Sequence, residues 1–207
     1  MDVVAISAQL GLFAIWLLTL NVALGLLLSS QYNPLKRWPH KRINYFAVHN
    51  WAGYIALALT VAHAAILPLS STAGWVWRDV LWPSGAPQQA TANVWGAISM
   101  YLLAVVVVTS YVRRKMGRGA WKAVHYASFV CAILFVLHGA VLDPKLENRP
   151  INYFDPEKAS IVLCAAVMIW GTWLRARWAL RRRARRREKD LRHWDAPSPV
   201  EWSEGPA

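Results

Sequence analysis

The sequence predicts an all-α polytopic membrane helix bundle of five transmembrane helices, with the N-terminus outside and the C-terminus in the cytoplasm. Three observations carry this prediction. Of the 207 residues, 56% are apolar and only 16% charged, where soluble chains average about 25% charged. The apolar excess is gathered into five long stretches separated by short polar ones. The Lys and Arg residues gather between alternate stretches, on what becomes one face of a bilayer.

The first stretch, residues 3–28, runs 26 positions without a charge, enough to cross a hydrocarbon core of about 30 Å. It does not read as a signal peptide, because Asp2 stands where a basic segment belongs and no Ala-x-Ala site follows. The next three stretches are residues 48–69, 94–112 and 121–142. The fifth, 159–174, is short and is expected to continue toward Leu180 while Arg175 and Arg177 snorkel. All five must be helices, since lipid offers nothing to satisfy an open strand. Residues 1–180 then form the bundle and 181–207 a basic juxtamembrane segment with a disordered tail. Cys131 and Cys164 lie mid-stretch as small apolar residues, so no disulfide framework is expected. Most of the thirteen tryptophans, Trp75, Trp77, Trp82 and Trp121 among them, sit near span ends and read as an interfacial belt.

Nineteen of the 23 Lys and Arg residues fall on one side: after spans one and three (Lys36, Arg37, Lys41 and Arg42; Arg113, Arg114, Lys115, Arg118 and Lys122) and beyond span five. Arg78, Lys145, Arg149 and Lys158 remain for the other side. The rule that cytoplasmic loops are basic sets the orientation, and a bacterial inner membrane is the expected location. The run RRRARRR follows a span directly, where arginines hold topology and attract anionic lipid, so nucleic-acid binding is not expected.

Chemistry in such a chain must come from polar residues that lipid does not tolerate without reason. Four of the six histidines lie in apolar stretches: His49 and His63 in span two, His125 and His138 in span four. His40 and His193 fall in a loop and in the tail. Spans two and four run the same way, so His49 and His125 share the cytoplasmic level and His63 and His138 the outer one. The separations are 14 and 13 residues, about 21 and 20 Å along a helix. Zinc or copper needs three or four converging ligands, and a proton relay wants carboxylates, which the spans lack. Two bis-histidine haems fit best, an inner one on His49 and His125 and an outer one on His63 and His138. No Cys-x-x-Cys-His occurs, so they would be haem b. Gly53 would let a porphyrin approach the backbone, and Gly139 would serve close helix packing. Arg113, Arg114, Lys122, Lys41 and Arg42 would meet propionates or only hold topology. Met100 and Met168 read as core packing, while Leu57, Leu59, Phe129 and Phe135 fill the space between levels. One phase fits poorly: thirteen residues leave His125 and His138 about 140° apart on an ideal helix.

Six-coordinate haem suits outer-sphere electron transfer. These residues resemble the ferric reductase-like transmembrane domain, shared by NADPH oxidases, ferric reductases and the haem-bearing membrane subunit of the bacterial methionine sulfoxide reductase system. The likeness rests on the two histidine pairs and on RRKMGRGAWKAVHYASFVCAILFVLH, and covers about residues 43–142. It implies electron flow from a cytoplasmic donor to an acceptor at the outer face: ferric iron, oxygen or a periplasmic protein. Larger relatives have six spans and a flavin and nicotinamide module. This chain shows five spans and no G-x-G-x-x-G, so the donor is expected to be another protein, a bound flavin or a quinol. The chain would then be an oxidoreductase membrane subunit, with outer loops 70–93 and 143–158 as docking surfaces. Two other readings stay open: a cytochrome b anchor of a quinol-linked dehydrogenase, and a haemless membrane scaffold.

Overall fold

The structure, a computed structural model, describes residues 2–30, 44–146 and 150–194. These are helices and short connections, with no strand among the described residues. Five helical segments there are long and apolar enough to cross a membrane. The first basic loop, with His40, Lys41 and Arg42, lies outside the described residues, as do Arg149 and the tail from Asp195.

α1 (Val3–Ser30) is a run of leucine, alanine and branched aliphatics, and Asp2 caps it by accepting from the Val4 amide at 3.2 Å. α2 (Tyr45–Ala65) is capped the same way by Asn44, whose side chain accepts from Ala47 N at 3.1 Å. The chain then folds over that end of the bundle through a short helix, α3 (Trp77–Leu81), flanked by 3-10 turns at Leu67–Leu69 and Pro83–Gly85. Trp75 is buried in this cap with Val4, Leu67 and Ala73, and its indole N–H donates to Gln88 at 3.1 Å. It is therefore an inward-facing residue and not part of the interfacial belt expected for it. Trp77 and Trp82 are exposed, as a belt requires.

α4 (Ala90–Tyr111) returns across the bundle and is followed by one turn, α5 (Arg113–Met116). Gly117 then takes φ 75° and ψ 151°, a conformation that essentially only glycine adopts, and turns the chain back. The expected fourth span is two helices in succession, α6 (Arg118–His125) and α7 (Ala127–Val141), broken at Tyr126. α8 (Pro156–Trp194) is 39 residues long, about 58 Å, nearly twice the hydrocarbon thickness. It continues without a break past residue 180, and its arginines from Arg181 to Arg187 are exposed.

α1 packs along α2, α4 along α7, and α8 against α1 and α7. The core lies midway along the bundle, where Ala14, Ile15 and Leu18 of α1 meet Leu103 of α4, Cys131 and Phe135 of α7, and Cys164 of α8. Ser99 and Cys131 tie α4 to α7 at this depth. Ser99 Oγ donates to the Cys131 carbonyl at 3.0 Å, and Cys131 Sγ donates to the Ser99 carbonyl at 3.3 Å. Met168 packs against this core, and so do Leu57 and Leu59. Phe129 does not: it is 37% exposed and stacks on Tyr126 at the bundle surface.

Candidate functional site

The four span histidines meet in two pairs. The ring centroids of His49 and His125 are 6.2 Å apart with the planes at 66°, and those of His63 and His138 are 6.2 Å apart at 72°. A metal–imidazole bond is about 2 Å, and covalent ring geometry puts each nitrogen about 1.2 Å from its centroid. Two imidazoles ligating one ion from opposite sides thus have centroids about 6.4 Å apart when collinear. Both pairs sit at that separation. Among the described residues no three His, Cys, Asp or Glu side chains converge.

The tautomers are set by the neighbouring helices. His49 Nδ1 donates to the Asn21 carbonyl at 3.0 Å, His63 Nδ1 to the Ser7 carbonyl at 2.7 Å, and His138 Nδ1 to the Ala92 carbonyl at 2.8 Å. A carbonyl only accepts, so Nδ1 carries the proton in all three and Nε2 is left as the ligand-competent nitrogen. His125 differs. Its Nδ1 lies 3.3 Å from the Ser110 hydroxyl, which also accepts from Trp121 Nε1 at 3.4 Å. The Trp121 indole stacks on His125 with centroids 5.0 Å apart. Trp121 therefore packs into the site, in addition to the belt position expected for it.

Glycines make room for three of these rings. A Cβ built on Gly96 would stand 2.8 Å from the His138 ring, one on Gly11 3.1 Å from the His63 ring, and one on Gly25 3.3 Å from the His49 ring. The glycine singled out in the sequence beside His49 has another use. The Cβ position of Gly53 is 3.0 Å from Asn21 Nδ2, so Gly53 gives space to Asn21. Gly139 faces Ile161 of α8 at 3.2 Å, as close helix packing requires.

The His63 and His138 pair opens into two cavities. One is lined by Gly11, His63, His138, Glu157 and Lys158, the other by Trp75, Asp79, Gly96 and Met100 with the same two histidines. Phe135 lines both, and Met100 faces a cavity instead of only filling the core. Each cavity borders a buried charged side chain. Lys158 is buried and donates to the carbonyls of Gly139 at 2.6 Å, Ala140 at 3.3 Å and Leu142, closing the end of α7. Asp79, 4% exposed, accepts from Val76 N at 3.3 Å through Oδ2, while Oδ1 has no hydrogen-bond partner and stands 3.7 Å from the exposed Arg78 guanidinium. At the other level Arg113 lies over the Phe46 ring, 4.4 Å from its centroid.

A model of the family described as the ferric reductase like transmembrane component matches residues 10–136. The chain belongs to this family. Comparisons with curated proteins and with solved structures gave no match. The ferric reductase-like region begins inside α1, well before residue 43, where the sequence resemblance starts, and takes in His49, His63 and His125. It ends two residues before His138. Membership implies transmembrane electron transfer as the general activity of the domain.

Proposed function

We propose that the chain is the membrane subunit of a ferric reductase-like system. It carries electrons across the bilayer through two b haems, an inner one held by His49 and His125 and an outer one by His63 and His138. The observation that carries this reading is the pairing itself: two imidazole pairs at 6.2 Å, three of the four rings anchored through Nδ1 so that Nε2 is free to ligate. A haem at each pair would supply a one-electron ferric and ferrous couple without an open coordination position. The protein's own residues do the rest. The glycines seat the rings, the carbonyls fix their tautomer, and Ala14, Ile15, Leu18 and Phe135 keep water from the space between the levels.

The basic distribution supports placing the His49 level toward the cytoplasm. The donor would then be a cytoplasmic reductase, a flavin or a quinol, and the acceptor a small molecule or protein meeting the cap between α2 and α4. The protein would reside in a bacterial inner membrane.

The test is a reduced-minus-oxidised spectrum with haem counting on the purified chain and on His63→Ala and His125→Ala. Two b haems per chain are expected, with each substitution removing one. Retention of both haems by His63→Ala overturns the assignment.

A further inference from the structure

α1 carries one arrangement twice. Ser7 is followed four residues on by Gly11, and Asn21 four residues on by Gly25, with 14 positions between the two copies. The facing histidines of the antiparallel α2, His63 and His49, are separated by the same 14. At each copy two hydrogen bonds run in opposite senses between the same two residues, and at the first the Ser7 hydroxyl also lies 3.0 Å from His63 Nδ1. Ser7 Oγ donates to the His63 carbonyl at 2.7 Å, and His63 Nδ1 donates back to the Ser7 carbonyl at 2.7 Å. Asn21 Nδ2 donates to the His49 carbonyl at 2.9 Å, and His49 Nδ1 donates back to the Asn21 carbonyl at 3.0 Å. One turn further along α1, the glycine lets the imidazole lie against the helix.

We propose that Ser7 and Asn21 are positioning residues, Ser7 for His63 and Asn21 for His49, and that α1 tunes the two redox sites separately through them. The inference rests on the bis-histidine reading. A side-chain bond to the histidine's own carbonyl fixes the axial register of α1 against α2 at that residue, and this register holds the α1 carbonyl on Nδ1. That bond raises the basicity of the ligating nitrogen, which favours the ferric state and lowers the midpoint. The two copies lie about 21 Å apart along the helix, well beyond the roughly 7–10 Å over which substitutions usually couple. Gly53 belongs to the same device, because a methyl group there would collide with Asn21 Nδ2.

The experiment is a redox titration of the full chain, following the reduced haem bands, on wild type, Ser7→Ala, Ser7→Thr, Asn21→Leu and Gly53→Ala. Ser7→Ala raises one midpoint, and Ser7→Thr, which keeps the hydroxyl, returns it to the wild-type value. Asn21→Leu and Gly53→Ala, changes on different helices, both raise the other midpoint. Haem content stays at two per chain in each variant. Two haems with unmoved midpoints, or two midpoints moving together, overturn the positioning role and leave the haem assignment standing. A wild-type chain without haem overturns the assignment itself.

Discussion

Gly96→Ala puts one methyl group into the seat of His138, and its consequence follows from distances. The new Cβ would stand 2.8 Å from Nδ1, 2.9 Å from Cε1 and 3.1 Å from Cγ of the ring. Ordinary contact needs about 3.5 Å, so the ring must retreat from α4 by about 0.7 Å. The carbonyl that holds Nδ1 at 2.8 Å is that of Ala92, one turn away on the same helix. A ring pushed off α4 therefore stretches this bond past its useful range. Overpacking costs about 1–3 kcal/mol and the lost hydrogen bond about 1 kcal/mol. Together they weaken retention at this site by about one and a half to three powers of ten. The assay is haem per chain against added haem, with the midpoints of what remains. Loss of the His63 and His138 haem is expected, with the other untouched. Gly25→Ala, where the closest approach to His49 is 3.3 Å, asks the ring to give only a few tenths of an ångström and keeps both haems. Gly96→Ala with two haems and wild-type midpoints refutes the argument, because it would mean that His138 does not rest in this notch.

Three further outcomes follow from the packing. Lys158→Met leaves the carbonyls at the end of α7 without their ammonium, a loss of about 1.5–3 kcal/mol for bonds to a charged group. On heating, the haem at His63 and His138 should leave before the one at His49 and His125, in a spectroscopic melt that distinguishes the two. Trp121→Leu removes the ring stacked on His125 and the indole donor to Ser110, about 1 kcal/mol of ring contact. Redox titration should show only the His49 and His125 midpoint moving. Ser99→Ala breaks one leg of the clamp between α4 and α7, about 0.6–1.7 kcal/mol for an interhelical bond in a bilayer. The thermal midpoint falls while both haem spectra stay unchanged, since Ser99 lies between the levels and touches neither pair.

Residue type and spacing carried the histidine levels because charge and polarity are scarce in a membrane span. Four histidines stand out, and rise per residue converts their numbers into depth. What holds the rings was not legible. Their hydrogen-bond acceptors at three of four positions are backbone carbonyls, of Ser7, Asn21 and Ala92, and a carbonyl leaves no mark in the sequence. Gly11, Gly25 and Gly96 look like any small residue until the rotation of one helix against the next is known. The fourteen-residue echo of Ser7 and Gly11 in Asn21 and Gly25 was a signal in the sequence, readable once matched to the spacing of His49 and His63. Trp75 and Trp121 fall near span ends in the sequence, but that position does not say which way an indole points. Trp75 turns into the cap and Trp121 onto His125, while Trp77 turns outward.

The phase of His125 against His138 shows how local backbone geometry can reconcile a spacing with a pairing. Thirteen residues at 100° each fall about 140° short of four turns, so a regular helix would not aim both rings at α2. The chain breaks between them, at Tyr126, where the Phe129 amide donates to the Tyr126 carbonyl at 3.1 Å, an i to i+3 bond. Such a turn winds tighter than an α-helix, by about 20° per residue, and supplies part of the rotation required. Inserting one alanine between Tyr126 and Ala127 separates the two accounts of how His125 reaches His49. On a regular helix the insertion brings the spacing to fourteen and improves the phase, so both haems persist. With the break present, it adds about 100° and 1.5 Å to a geometry already matched, and the His49 and His125 haem is lost while the other stays. Haem counting on the insertion variant decides, and two haems with unchanged midpoints would show that Tyr126 plays no part in aiming the ring.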